Sequence, residues 1–186
     1  MNKQKQVFIF ALCGLVLAGC STTPDTESSR QVLSAEVNDA ISHFKTKDPG
    51  IQAFFDRSAG YAVLPKVYKG AFWLGGAYGK GQVFDRGGNL LGYCDMKQAT
   101  IGFSFGGEFF REIIFFRTES DLQNFMQGNF ALSAQATATA VTLGAAAKVD
   151  YKDGAAVFIL ADAGLMVDAS VGGQKFEFDA VPRMLN

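Results

Sequence analysis

Glycine and phenylalanine are interleaved along most of this chain, and that pattern limits what it can fold into. There are 21 Gly and 18 Phe among 186 residues. From Tyr61 onward the hydrophobic period moves towards two, as in Tyr61-Ala62-Val63-Leu64, a short strand expected to stop at Pro65. Ile101, Phe103, Phe105, Phe109, Ile113 and Phe115 share one parity of a long strand pair, with Gly106-Gly107 as an expected bulge or bend. Asp85-Arg86-Gly87-Gly88-Asn89 is a hairpin-turn signal. Phe130 to Val149 alternates small residues and fits a closely packed strand. Val157 to Ala161, Leu165 to Val171 and Phe176 to Phe178 complete the set, with turns expected at Gly164 and Gly172-Gly173. Glycines spread through strands mark bends, or places where a ring lies over bare backbone.

Helical spacing occurs elsewhere. Leu33, Val37, Ala40, Ile41 and Phe44 form one apolar stripe. Asp48-Pro49 then supplies an N-cap and a first-turn proline for a second helix carrying Ile51, Phe54 and Phe55, which Gly60 can end. Thr118-Glu119-Ser120-Asp121 opens a third with a capping-box-like start, Leu122, Phe125 and Met126 inward and Gly128 closing it. The expected class is α+β: a bent, barrel-like antiparallel sheet with two N-terminal helices and one helix inserted mid-chain.

The first twenty residues read as an address. Lys3 and Lys5 precede Val7 to Ala18, an apolar stretch without charge. Twelve residues rise about 18 Å as a helix against a hydrocarbon core of roughly 30 Å, so this is a secretory signal rather than a span. Leu17-Ala18-Gly19-Cys20 resembles the lipobox of bacterial lipoproteins, in which the Cys is acylated and becomes the first residue. That resemblance implies a signal peptide at 1–19, a lipid anchor on Cys20 and a flexible tether at 20–29, with one folded domain over 30–186. Ser21 after the Cys implies export to the outer membrane of a Gram-negative bacterium, facing either the periplasm or the surface. Once Cys13 leaves and Cys20 is acylated, Cys94 stands alone and reads as a small buried apolar residue.

Composition removes much ordinary chemistry. With one His, His43, there is neither a multi-histidine metal site nor a His relay, and His43 reads as a helix-surface residue. A net charge of −1, reaching −3 without Lys3 and Lys5, argues against general nucleic-acid binding. Gly75-Gly76-Ala77-Tyr78-Gly79-Lys80-Gly81 fails as a phosphate loop, because three residues rather than four separate Gly75 from Gly79 and Gly81 follows Lys80. Glu108, Arg111 and Glu112 lie in an apolar strand run and read as a local ion pair or an outward face; a hydrolase would rest on Glu108 and Glu112 alone. Asp162 to Gly164 and Asp150 to Asp153 read as turns. Neither a catalytic set nor a cofactor emerges. What remains is Pro65 to Arg86, where Lys66, Lys69, Lys80 and Arg86 stand against Asp85, interleaved with Phe72, Trp73 and Tyr78. Rings beside lysines suit a membrane–water interface.

The same residues carry a family resemblance. Ser58 to Pro65, Val67 to Phe72 and Gly75 to Gly81, followed by the Gly102 to Glu108 run, the helix before Gly128 and Gly164 to Val171, resemble the SYLF domain in order. Eukaryotic members of that family are associated with phosphoinositide-containing membranes and actin, and bacterial members are often secreted or lipoproteins. The resemblance implies a non-enzymatic module that binds anionic or phosphorylated lipid. Lys66, Lys69 and Lys80 would contact phosphate, with Trp73 and Tyr78 at the interface. The alternative is a structural or interaction component of the cell envelope holding a protein partner.

Overall fold

The computed structural model describes residues 23–24, 26–71, 74–128, 131–132 and 139–181, with backbone alone at 71, 74, 100–106, 108, 131–132, 139–140 and 163–172. Helix α1 spans Glu27–Lys47. It begins inside the segment expected as tether, because the Thr26 side chain accepts the Ser29 N–H at 3.1 Å and caps it. Leu33, Val37, Ala40 and Phe44 are its buried seam, as their spacing requires. Asp48 ends α1 and caps a 3-10 turn at Pro49–Ile51, which runs into α2 at Gln52–Arg57. Gly60, expected to end that helix, instead opens the first strand.

The sheet is α+β in context and antiparallel in its main strands: β1 Gly60–Ala71, β2 Leu74–Asp85, β3 Leu90–Phe116 and β6 Ala155–Ala180, with two-residue strands β4 Ala131–Leu132 and β5 Thr139–Ala140. The registers nest these strands. β3 pairs with β2 through residues 90–101 and with β1 through residues 106–116, so it passes round the end of the β1–β2 hairpin. β6 follows it on the outside, from Phe116↔Ala155 to Gly92↔Ala180. Gln174 Nε2 donates to Glu112 Oε2 at 3.2 Å, although those residues belong to opposite ends of the nest. The sheet therefore curls towards the face that carries both. The bend is as expected; the sheet is not closed into a barrel.

Four local expectations are corrected. β1 does not stop at Pro65; the register shifts between Val63 and Lys66 against β2 and between Leu64 and Val67 against β3, and this bulge accommodates a residue with no N–H to donate. Gly106-Gly107 pairs in register, and the shift in the β3–β6 ladder falls at Phe109/Phe110 instead. The stretches expected as three strands after Val157 are one continuous strand, with Asp162, Gly164 and Gly172-Gly173 inside it, because β3 offers an unbroken edge to pair with. Phe130 to Val149 is not one strand either: β5 pairs parallel to β6, and Ala146–Lys148 is a 3-10 turn.

Strand alternation divides the core in two. Tyr61, Val63, Tyr93, Ile113, Phe115 and Phe158 face α1 and α2. Leu64, Val67, Val83, Met96, Phe110, Ile114 and Phe116 line the inner, curled face, closed by Leu122 and Phe125 of α3 (Glu119–Met126). Both clusters draw on residues from Leu33 to Val181, so a chain beginning at Thr23 holds all of them. Among the described residues no helix is long and apolar enough to cross a membrane.

Candidate functional site

Of the expected lipid-contact residues, Lys66, Tyr78 and Lys80 fall on the outer, helix-bearing face of the sheet. Lys66 pairs across strands with Lys80, and Tyr68 with Tyr78, so these four share that face. Lys69 lies on the opposite parity, beside Ala77 and Glu108. Trp73 and Cys20 lie outside the described residues. Arg86 belongs to the fold rather than to this surface, since its Nε donates to the Ser58 carbonyl at 3.0 Å.

The outer face is ordered in rows. Lys80, Lys66 and, opposite the bulge on β3, Arg111 make a basic row. Its charges are largely matched by acids. Lys66 Nζ is 2.5 Å from Glu36 of α1, which raises the Lys66 pKa. Arg111 reaches Asp39 of α1 at 3.1 Å and Asp162 of β6 at 2.7 Å. Asp162, expected in a turn, occupies the extra position in the β6 register and so meets Arg111. Asp95, opposite Lys80, is buried; burial raises its carboxyl, while Lys80, Lys97 and the Tyr78 hydroxyl work against that.

One step of two residues further along the strands is an aromatic row, Tyr78, Tyr68 and Phe109, on β2, β1 and β3. These rings are 37%, 51% and 44% exposed, unusual for three large side chains in adjacent strands. Tyr68 and Phe109 meet edge to face with centroids 4.9 Å apart. The sequence reading missed Tyr68 and Phe109; their parity with Lys66 and Arg111 was available, but not the knowledge that, among the described residues, no helix covers this part of the face. The next row is Gly76, Gly70 and Gly107, where a side chain at Gly70 would meet nothing within 4 Å.

Of the two acids weighed for catalysis, Glu108 and Glu112, Glu112 alone has a described side chain. Glu112 is fully buried on the inner face, opposite Leu64 and Ile159 in the strand register, with no hydrogen-bond partner for Oε1 among the described residues. Burial pushes its carboxyl up to about 7 against the Gln174 hydrogen bond, so it is neither the ion pair nor the outward charge expected. Cys94 is fully buried as expected, and burial pushes its thiol far up, which makes it inert. His43 is on the surface of α1, its Nδ1 2.8 Å from the Asp39 carbonyl. It borders an open groove of about 690 Å³ with Ser42, Lys47, Leu143 and Asp162.

Two comparisons with known proteins bear on this arrangement. Residues 97–180 match the family model described as Ysc84, Las17-binding protein actin regulator. The match takes in β3 from Lys97, α3 and β6, including the Gly102 to Glu108 and Gly164 to Val171 segments; the Ser58 to Gly81 motifs precede it. The chain is also 23% identical over 153 residues to "Beta cell expansion factor A" of Aeromonas veronii, covering 82% of this chain and 58% of that protein. It thus spans little more than half the length of that relative. Over residues 97–180 the chain is thus similar to the Ysc84 (SYLF) family.

Proposed function

We propose that this protein is a non-enzymatic, lipid-anchored envelope protein whose sheet binds anionic or phosphorylated lipid. The observation that carries the reading is the outer face, where Lys66 and Lys80 stand beside Tyr68 and Tyr78 on paired strands. Ammonium groups beside amphipathic rings suit a headgroup layer. Lys69 and Trp73 remain with the proposal through the same hairpin. The family description names actin regulation for other proteins; actin is not proposed as a partner here. Cys20 carries the anchor in this reading, and the outer membrane is its location.

The acids beside Lys66 and Arg111 refine the proposal. A lipid phosphate must compete with Glu36 and Asp39, so binding will be modest and sensitive to salt. The test is co-sedimentation of the chain beginning at Thr23 with vesicles of phosphatidylcholine, with and without phosphatidylglycerol. Stronger binding to the anionic vesicles, lost when Lys66, Lys69 and Lys80 become Gln, is the expected result. Equal negligible binding to both, or no effect of the three replacements, would remove it. The anchor has its own test: mass spectrometry of the membrane-extracted protein should find acyl chains on Cys20, absent after Cys20→Ser.

A further inference from the structure

Polarity on the outer face changes in one direction along the strands. Next to α1 lies the ion-paired basic row of Lys80, Lys66 and Arg111. About 7 Å further is the exposed aromatic row, and about 7 Å beyond that the glycine row. The registers then carry residues 99–107 of β3 and residues 164–173 of β6 round this same end of the sheet, beyond Ala71 of β1 and Leu74 of β2. Read from the sequence, the segments 99–107 and 164–173 contain one charged residue, Asp168, and include Ile101, Phe103, Phe105, Leu165, Met166 and Val171. They are far apart in the chain, and nesting alone makes them neighbours.

A bilayer has the same sequence of environments with depth: phosphate and water, then the aromatic-favouring interface, then hydrocarbon. We infer that the bent end of the sheet, not the flat of its basic row, is the part that enters the lipid layer, with Tyr78, Tyr68 and Phe109 at the interface and α1 held in water. This rests on the lipid-binding reading above and assigns it an end and an orientation. Depth is limited by backbone chemistry. Among the described residues the outer edge of β6 between 160 and 173 pairs with no strand, and unpaired N–H and C=O groups are costly in hydrocarbon. The bent end therefore rests in the interfacial layer and does not span.

Trp73 is the sole tryptophan and in sequence falls between Ala71, the last residue of β1, and Leu74, the first of β2, so its fluorescence is the probe used. The chain beginning at Thr23 is mixed with phosphatidylethanolamine–phosphatidylglycerol vesicles, some with bromine on the acyl chains. Emission should shift to shorter wavelength and be quenched by the bromolipid. Tyr68→Ser with Phe109→Ser should weaken partitioning roughly tenfold, since both rings lose interfacial burial. Should that pair disturb the fold, Tyr68→Trp in a Trp73→Phe chain places the reporter in the aromatic row, where quenching is again expected. Co-sedimentation without any emission change or quenching at either position overturns the orientation while leaving lipid binding intact. Absence of co-sedimentation overturns both.

Discussion

Glu112 is the residue that departs furthest from its sequence reading. It sits one position from Arg111, yet strand alternation sends Arg111 outward to Asp39 and Asp162 and Glu112 into the curled face. Both parities of this run are apolar, so the sequence held no signal of which charge was buried. A folded-state pKa raised to about 7 from 4.5 means the fold prefers the protonated acid. Its stability is then fully present below 4.5 and is lost as pH rises through 7. At about 1.4 kcal/mol per unit the loss approaches roughly 3 kcal/mol. Glu112→Gln should melt higher than the parent at pH 8 and flatten this slope; urea melts at pH 5 and pH 8 measure it. Asp48 behaves oppositely. Burial acts to raise its pKa, but N–H groups of Ala146, Gly50, Gly144 and Ala145 outweigh it and hold the carboxylate below its ordinary value. Asp48→Ala should cost about 2 kcal/mol at neutral pH, a deficit that shrinks as acid protonates the parent below 3.8. Acid unfolding curves of the two proteins would expose a constant difference if this account were wrong.

At the scale of elements, the caps at Asp48 and Thr118 were legible and the strand ends were not. Thr118 and Asp121 form the capping box their spacing announced: Asp121 N–H donates to Thr118 Oγ1 at 3.3 Å and Thr118 N–H to Asp121 Oδ2 at 3.0 Å. Thr118→Ala should cost about 1 kcal/mol, read as a lowered urea midpoint. Caps are local chemistry within four residues. Strand ends depend on whether a partner edge continues, which is why Pro65 and Gly164 were misplaced as terminators. Glycines likewise look alike in sequence and differ in the fold. A Cβ at Gly81 would stand 2.3 Å from the Val63 carbonyl oxygen, whereas one at Gly70 meets nothing within 4 Å. Gly81→Ala should destabilise by about 3 kcal/mol through overpacking, and Gly70→Ala should be neutral or add roughly 0.5 kcal/mol. Similar thermal shifts for the two would contradict the nested packing.

For the whole molecule, β1, β2 and β3 are paired on both edges, while among the described residues β6 is paired on one edge over most of its length. Hydrogen exchange should therefore be slowest in residues 108–116 of β3, between β1 and β6, and faster at residues 160–173 of β6. Equal protection along both would mean that the outer edge of β6 is covered. The sequence by itself determined the α+β class, the helices with their buried seams, the Asp85 to Asn89 turn and the order of family segments, because each is encoded by residues a few positions apart. Only the tertiary structure decided that Glu112 is buried, that Lys66 and Arg111 are held by acids of α1, and that Tyr68, Tyr78 and Phe109 form one row. Those facts depend on which edges pair and which part of a face a helix covers. The ion pairs span thirty positions or more, as Lys66 and Glu36 do at a separation of 30, and no local period records them.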